Sequence, residues 1–494
     1  MTQAFATSLS AVGNVLRAAD LLEEVLGSKD VLLSGVCQDS RVAHPGDLFL
    51  AWEGTVSDGH DFVSEAVQRG AVASVVKRPL DVEIPQLVVS NSRRAAALAA
   101  CTVMGSPDED LLTVGVTGTN GKTTTALLIQ HLIGPKVPTA VIGTLGLVDS
   151  HGVRPGSEAL TTPGPVQVAK WLRELVDGGA GAVVLEASSH ALAQYRLDGM
   201  SFDVVVFTNL TQDHIDYHGD IDAYFAAKTR LVELAEADAT VIVNQADPAW
   251  MSLDIVGRRL RTFAVGRNEA DVSATNLELY SGGSAFRLIV DGVEHQVQTP
   301  LLGRYNVENA LAAVAAATAA GVTLDEVIEL LGTTPQVSGR LETVVTLPFT
   351  VLIDFAHTSD ALKNALSVVK PLADGKLIVV FGAGGDRDPT KRRPMAQAVS
   401  AVADVIVLTS DNPRTEDPER ILDDLSIGLE DVDYHRVADR RQAIKLALDI
   451  ADSGDIVVLA GKGHETYQVV GREKQAFDER QIVSDHLAGG RFST

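Results

Sequence analysis

The sequence is short of cysteine, with only Cys37 and Cys101 in 494 residues. That excludes a disulfide framework and a cysteine-built metal centre, suits a reducing cytoplasm, and leaves both thiols expected in the core. Long hydrophobic runs are missing too. No stretch reaches the roughly 18 apolar residues of a membrane span, and the opening MTQAFATSLSAVGNVLRAAD lacks a basic segment followed by an apolar one, so neither spanning nor export is expected. Positive charge is scarce: 41 Lys and Arg face 65 Asp and Glu, a net charge of -24. Long nonspecific contact with a nucleic acid backbone would be repulsive, which favours small-molecule chemistry. No repeat of fixed period and no low-complexity tract occurs. What is present is an apolar content of 46%, ample for burial, on a chain long enough for roughly three domains.

The stretch TVGVTGTNGKTTTALLI, from Thr113 to Ile129, is the most informative. Its apolar alternation before Gly118 predicts a buried strand, and the run after Thr125 predicts a helix, so Gly118 to Thr124 forms the turn between them. Unpaired N–H groups at a helix start, two glycines that let the main chain approach closely, and the charge of Lys122 suit phosphate. Thr123 supplies a hydroxyl for magnesium. The strict phosphate-loop pattern asks for glycine where this chain has Val116, so the spacing is a variant. A glycine-rich turn can also be purely structural, but Lys-Thr-Thr in the first helical turn favours a nucleoside triphosphate.

Strand-like runs fall into three blocks. The first holds VLLSGVCQDSR, GDLFLAWEG, ASVVKR and PQLVVSN and ends near SPDEDLL, at Ser106 to Leu112. In the second, LLTVGVTG, GAVVLEASSH, FDVVVFTNLTQDH and ATVIVNQADP read as buried parallel strands ending in polar residues. The third begins after SGRLE, with FTVLIDFAH, KLIVVFGAGGDRD, ADVIVLTSDNPR and DIVVLAGKGHE. Strands alternating with helices make this an α/β doubly wound pattern, whose ligands bind beyond the carboxyl ends of the strands, where these polar residues lie. The alanine-rich LAAVAAATAAG after Asn309 reads as a packing helix.

Glu186 and His214 each follow a buried strand and could face magnesium, although a lone Glu or His there is commonly a satisfied structural group. Lys228, in DAYFAAKTRL, sits on a predicted helix, where the plain reading is a solvated lysine.

Taken in order, TGTNGKTTT, EASSHAL, FTNLTQDHIDYHG with AAK, LGRYNVENALAA, SGRLE, IDFAH and DNPR resemble the Mur ligases, ATP-dependent amide-forming enzymes of peptidoglycan precursor synthesis. The set spans most of the chain. The opening DSRVAHPGDLFLAWEG with DGHDF resembles the uridine-nucleotide domain of the member that adds the third amino acid. The resemblance implies a three-domain α/β architecture: residues 1–110 for the UDP-MurNAc moiety, a central P-loop ATPase domain at 111–343, and a C-terminal Rossmann-like domain at 344–494 for the incoming amino acid. The implied small-molecule substrates are ATP, UDP-N-acetylmuramoyl-L-alanyl-D-glutamate and meso-2,6-diaminopimelate, with Mg2+ as cofactor. No nucleic acid or membrane partner is implied, and a cytoplasmic monomer is expected.

Residue by residue, the resemblance implies that Gly118, Thr119, Asn120, Gly121, Lys122, Thr123 and Thr124 hold the triphosphate. Thr123, Glu186 and His214 would serve magnesium, and Lys228, as its carbamate, a second metal. Asn309, Arg340, Asp354 and His357 match further ATP contacts. Thr161, Thr162, Ser188, Gln194 and Arg196 match contacts to the muramoyl-peptide, and Gln38 and Ser40 fall where the uridine nucleotide is held. Lys122, Glu186, His214 and Lys228 form the implied catalytic set.

The DNPR loop is where amine choice is expected. Diaminopimelate ends in a second amino acid head, so its site needs a cationic and an anionic partner together. Arg414, helped by Arg387, suits the distal carboxylate. Glu465 with Gly461 suits the ammonium, and Asp411, Asn412 and Pro413, in the turn that Pro413 stiffens, complete the set implied to bind diaminopimelate; His464 has no assigned role. L-Lysine as the amine, a P-loop ATPase working as a switch, and a noncatalytic nucleotide-binding protein are the rival readings. Folylpolyglutamate synthases share the ATP core but are not expected to carry the N-terminal block or DNPR.

Overall fold

The computed structural model describes residues 7–54, 57–156, 160–267, 269–280, 282–429 and 432–489. The chain divides into two compact units: Met1–Ser273 with Asn309–Ile328, and Ala274–Glu308 with Glu329–Thr494. No helix among the described residues is long and apolar enough to cross a membrane.

The first unit contains two large sheets. The N-terminal one runs in the order Leu22–Leu26, Gln86–Val89, Ala73–Val76, Asp47–Leu50, Gly35–Cys37. Its last four strands are parallel and the first is an antiparallel edge. Successive side chains point to opposite faces. Leu48 and Leu50 join the core built with helices Leu9–Ala18 and Ser92–Val103, while Phe49 and Ala51 join Cys37, Val63 and Ala66 on the other face. Both cysteines are buried and free, as expected.

In the central sheet, six parallel strands run in the order Thr139–Gly143, Ala182–Glu186, Leu112–Thr117, Phe202–Phe207, Ala235–Asn244, Arg259–Val265. Four of these are the runs read from the sequence. The two flanking ones were not, and Gly146–Asp149 and Gly152–Arg154 add an antiparallel edge. Burial on both faces explains the unbroken apolar runs. Helix Ile221–Glu233 comes close to Leu112–Thr117: a Cβ on Gly115 would meet Leu231 Cδ1 at 2.9 Å. That approach brings Lys228 beneath the turn after the strand. In helix Arg304–Ala319, Ala310 through Ala317 are fully buried, in keeping with the packing role read from its alanines.

In the second unit, Gly283–Val290 and Val293–Thr299 form an antiparallel hairpin that the sequence reading left out. The Rossmann-like sheet runs Glu342–Val345, Thr350–Asp354, Ile456–Ala460, Leu377–Phe381, Val405–Leu408, His435–Arg436. All are parallel except the antiparallel first. Helices cover both faces. Leu352, Val379 and Val458 pack toward helices Ser359–Val369 and Arg392–Ser400, whereas Ile353, Val380 and Val457 pack toward Arg440–Ile450 and Glu479–Gly489. The strands thus deliver Asp354, Asp411 and Gly461 at their carboxyl ends.

Candidate active site

The helix after the glycine-rich turn starts at Lys122, so Lys122, Thr123 and Thr124 form its first turn, as read from the sequence, although the turn itself ends earlier than Thr124. Both glycines are demanded by close approach. A Cβ on Gly118, at φ 144°, would lie 1.9 Å from Thr208 Oγ1, and one on Gly121, at φ 86°, would lie 2.3 Å from Asn309 Oδ1. Gly121 caps the helix without a side-chain hydrogen bond, which leaves first-turn N–H groups suited to an anion. The loop is tied to residues 208–211: Asn120 N donates to Asn209 Oδ1 at 2.9 Å, Thr208 Oγ1 to Asn120 O at 2.7 Å, and Thr119 Oγ1 to Thr211 O at 3.0 Å. Lys122 Nζ donates to Gly118 O and Thr119 O, each at 2.9 Å. Asn309 Oδ1 accepts from Thr125 Oγ1 at 3.3 Å, which places the helix Arg304–Ala319 against the loop.

Glu186 is buried at the end of its strand. Its Oε2 accepts from Thr123 Oγ1 at 2.9 Å and Thr144 Oγ1 at 3.1 Å, and its Oε1 from Thr144 N at 2.8 Å. A hydroxyl beside a carboxylate at a phosphate loop is an all-oxygen donor set suited to Mg2+, which takes few protein ligands and keeps waters and phosphate oxygens for the rest. Among the described residues no group of three His, Cys, Asp or Glu forms a preassembled metal cluster. His214, at φ 55°, has Nε2 3.5 Å from Asp213 Oδ2, and its ring lies edge-on to His190 at 4.8 Å. His190 also packs on Tyr217 and His218, rings that stand inside EASSHAL and FTNLTQDHIDYHG but had no role assigned there.

Lys228 is not the solvated lysine of the plain reading: it is 1% exposed. Its Nζ donates to Gly118 O at 2.7 Å and lies 4.4 Å from the centre of the Tyr224 ring. Burial, then the nearby charge of Lys122, push its pKa well below the ordinary lysine value. Helical spacing alone did not disclose this, because the close packing at Gly115 sets it.

The residues matched to the muramoyl-peptide form one connected network. Thr162 Oγ1 donates to Glu186 O at 2.5 Å and accepts from Ser188 N at 3.0 Å. Arg196 donates to Thr162 O at 2.6 Å and to Gln194 Oε1 at 2.7 Å, and Gln194 Nε2 to Tyr217 OH at 3.0 Å. Thr161 Oγ1 lies 3.4 Å from Thr144 Oγ1. Gln38 comes from the N-terminal sheet to this region: a Cβ on Gly164 would lie 3.4 Å from its Nε2, and its buried Oε1 has no hydrogen-bond partner. Ser40 is buried and donates to Glu65 Oε2 at 2.8 Å.

In the second unit, Phe355 is a platform the sequence reading missed. The Arg340 guanidinium lies 4.9 Å from its ring centre, with the rings of His357 at 4.7 Å and His464 at 5.1 Å. Asp354 is buried, and its carboxylate accepts from Leu341 N at 2.7 Å and Ala356 N at 2.8 Å. Burial raises its pKa, against the pull of Arg340 and those N–H groups.

The DNPR loop interlocks with GAGGDRD. Arg414, left-handed at φ 53°, donates from Nη1 to Gly385 O at 2.8 Å. A Cβ on Gly385 would lie 2.0 Å from Pro413 O, and one on Gly384 would meet Arg414 Nη1 at 2.9 Å and Arg387 Cγ at 3.8 Å. The two arginines therefore flank one glycine. Asp411 Oδ2 is buried without a hydrogen-bond partner and would lie 2.5 Å from a Cβ on Gly461, at φ 114°. Glu465 Oε2 accepts from Asn412 Nδ2 at 2.8 Å and from Lys462 Nζ at 3.1 Å. Behind these loops, Arg440 is fully buried with Glu479 at 2.8 Å and donates to Ala460 O at 2.9 Å and Ser410 O at 3.5 Å, the residues just before Gly461 and Asp411. Lys462 stood inside a quoted motif without a role, and Arg440 lies in no motif.

Known proteins match this chain along most of its length. Residues 33–114 match the Mur ligase family catalytic domain, 116–317 the Mur ligase middle domain, and 339–463 the Mur ligase glutamate ligase domain. It is 43% identical over 458 residues to the UDP-N-acetylmuramoyl-L-alanyl-D-glutamate–2,6-diaminopimelate ligase of Geobacillus thermodenitrificans, covering 90% of this chain and 93% of that one. The protein of the same name from Aquifex aeolicus is 41% identical over 466 residues, covering 92% and 94%. A solved structure under that name superposes with a TM-score of 0.68 at 34% identity, covering 92% of this chain and 95% of the other.

Proposed function

The chain belongs to the Mur ligase family, and from that premise we propose that it joins meso-2,6-diaminopimelate to UDP-N-acetylmuramoyl-L-alanyl-D-glutamate at the expense of ATP, in peptidoglycan precursor synthesis. The observation that carries the amine is the interlocked DNPR and GAGGDRD pair, which sets the Arg414 guanidinium and the Arg387 side-chain stem beside one glycine, with Asn412 of the same turn bonded to the Glu465 carboxylate. A zwitterionic amino acid head asks for both signs of charge.

The chemistry has two steps. A D-glutamate carboxylate of the substrate attacks the γ-phosphorus of ATP, releasing ADP and leaving an acyl phosphate; the amine then attacks the acyl carbon, expels phosphate and loses a proton to give the amide. Lys122 and the helix N-terminus at Gly121 hold the triphosphate, with Thr119, Asn120, Thr124 and Asn309 shaping the loop. Thr123, Glu186 and His214 are the residues that would hold Mg2+, which when bound screens repulsion between the carboxylate and phosphate oxygens. Thr161, Thr162, Ser188, Gln194 and Arg196 position the peptide, Gln38 and Ser40 the uridine nucleotide, and Arg340, Asp354 and His357 take further ATP contacts.

Lys228 acts as its carbamate. Only a neutral amine adds carbon dioxide, forming the N–C bond and releasing a proton, and a buried lysine with a depressed pKa supplies that amine. We assign domain boundaries at 110 and 343 and a cytoplasmic monomer.

The test is phosphate release from ATP with the UDP-muramoyl-dipeptide and, in turn, meso-diaminopimelate, L-lysine or no amine. Release that rises only with diaminopimelate, with the tripeptide product detected by mass, is the expected result. Equal stimulation by lysine would overturn the amine assignment, and absence of any ligated product would overturn the ligase reading.

A further inference from the structure

The loops at the carboxyl ends of the second unit's strands hold a buried cation that neither the family match nor the proposed chemistry employs. Lys462 is 0% exposed, in the turn that follows strand Ile456–Ala460. A buried ammonium is costly unless its donors are met. Here two of three are met by the side chains assigned to the amine: Nζ donates to Asn412 Oδ1 at 3.1 Å and to Glu465 Oε2 at 3.1 Å. The rings of Tyr467 and Phe477 lie 5.9 and 6.0 Å away, at the outer limit of cation–π contact.

The consequence lies in what Asn412 and Glu465 have left to offer. A side-chain amide presents an acceptor at one end and donors at the other, and it is the neighbours that choose which way round it sits. Asn412 Oδ1 accepts from Lys462 and, at 2.9 Å, from Val469 N, so its oxygen is consumed by protein donors and Nδ2 is directed to Glu465. Asn412 therefore has only an N–H left for a ligand, which suits a carboxylate. Glu465 Oε2 is held by Lys462 and Asn412 together, and its second oxygen, Oε1, takes neither bond. The ammonium also balances that carboxylate, so the pair adds no net charge to a site meant for a zwitterionic head.

We propose that Lys462 is a positioning residue for amine recognition: it fixes the orientation of the Asn412 amide and the rotamer of Glu465, so that the pocket offers the diaminopimelate head one N–H and one carboxylate oxygen in fixed places. The proposal rests on the diaminopimelate reading, which wild-type turnover with that amine tests separately. Lys462→Met keeps the length of the stem and removes the cation; the amide then loses one reason for its orientation and the carboxylate one of its two donors.

Steady-state kinetics with each substrate varied in turn is the test. In Lys462→Met, KM for meso-diaminopimelate should rise tenfold or more, with kcat within threefold of wild type and KM for ATP and for the UDP-muramoyl-dipeptide unchanged. Lys462→Arg, which keeps a cation and donors, should recover at least part of that loss. An unchanged KM for diaminopimelate in a folded Lys462→Met overturns the proposal. So does a fall in kcat with all three KM values intact, or a parallel rise in all three. If Lys462→Met does not fold, Lys462→Arg and Lys462→Gln carry the comparison, with the arginine closer to wild type in KM for diaminopimelate; equal values in both overturn the proposal. Failure of all three variants to fold assigns Lys462 to stability and overturns it as well.

Discussion

The Nζ atoms of two lysines meet at the carbonyl oxygen of Gly118, one from the loop itself and one from the helix behind it. Burial, and then the charge of Lys122, push the Lys228 pKa well below the ordinary lysine value, toward the neutral amine that the proposed reaction with carbon dioxide requires. Lys228→Ala should lose nearly all ligation while ATP affinity holds, and acetate should restore part of the rate; unaided activity in the alanine variant would return Lys228 to a structural role. His464 gives a second residue-scale prediction, with a definite sign. Burial and the charges of Arg340 and Arg480 push it from 6.5 down to about 4, so the folded state keeps it neutral where the unfolded chain takes up a proton. Its stabilising effect is whole above pH 6.5 and is lost as pH falls from 6.5 toward 4, by up to about 3 kcal/mol. Thermal midpoints across that range should fall less steeply in His464→Gln than in wild type; parallel curves would refute this. The sequence shows that His464 follows a strand, but which rings and guanidinium groups surround it depends on residues 340, 355 and 480, far apart in the chain.

Strands were the most legible elements, for a physical reason. A parallel strand buried on both faces is a short unbroken apolar run, and where it leaves the sheet it turns polar, as at Glu186, Asp354 and Asp411. Edge and hairpin strands such as Gly152–Arg154 and Val293–Thr299 are largely exposed and mix polar with apolar residues, so they left no such mark. The phosphate loop was legible because glycine, lysine and threonine stand together in sequence. The loops proposed for the amine were half legible: DNPR and GKGHE each follow a strand, but the contacts that tie them to each other and to GAGGDRD do not follow from either motif. Arg414 makes the element-scale prediction. Shielded charge-assisted pairs are worth roughly 2 to 5 kcal/mol when one partner is removed. Arg414→Ala should therefore lose on the order of a hundredfold in kcat/KM for meso-diaminopimelate, with much less change in any residual turnover of L-lysine. Because Arg414 also holds Gly385, an equal loss with both amines would mean that it serves the loop and not the ligand.

At the scale of the whole molecule, a ligase and an ATP-driven switch differ in what ATP turnover waits for. The connected hydrogen bonds from Thr123 through Glu186 and Thr162 to Arg196 and Gln194 link the phosphate loop to the residues assigned to the peptide. ATP consumption should accordingly stay at background until the UDP-muramoyl-dipeptide is added, and Arg196→Ala should raise the dipeptide concentration needed for half-maximal rate by tenfold or more. Brisk turnover of ATP alone would favour the switch. The buried Arg440 has a bearing on how amine choice can be changed by design. One guanidinium grips the main chain immediately before Asp411 and Gly461, so the two loops proposed to recognise the amine share an anchor, which Glu479 holds from the last helix. Grafting a single loop from a relative of different preference moves one carbonyl away from that anchor while the other stays. The transplantable part is both loops with helices Arg440–Ile450 and Glu479–Gly489, and chimaeras cut inside that set should misfold or lose selectivity where chimaeras cut outside it keep theirs.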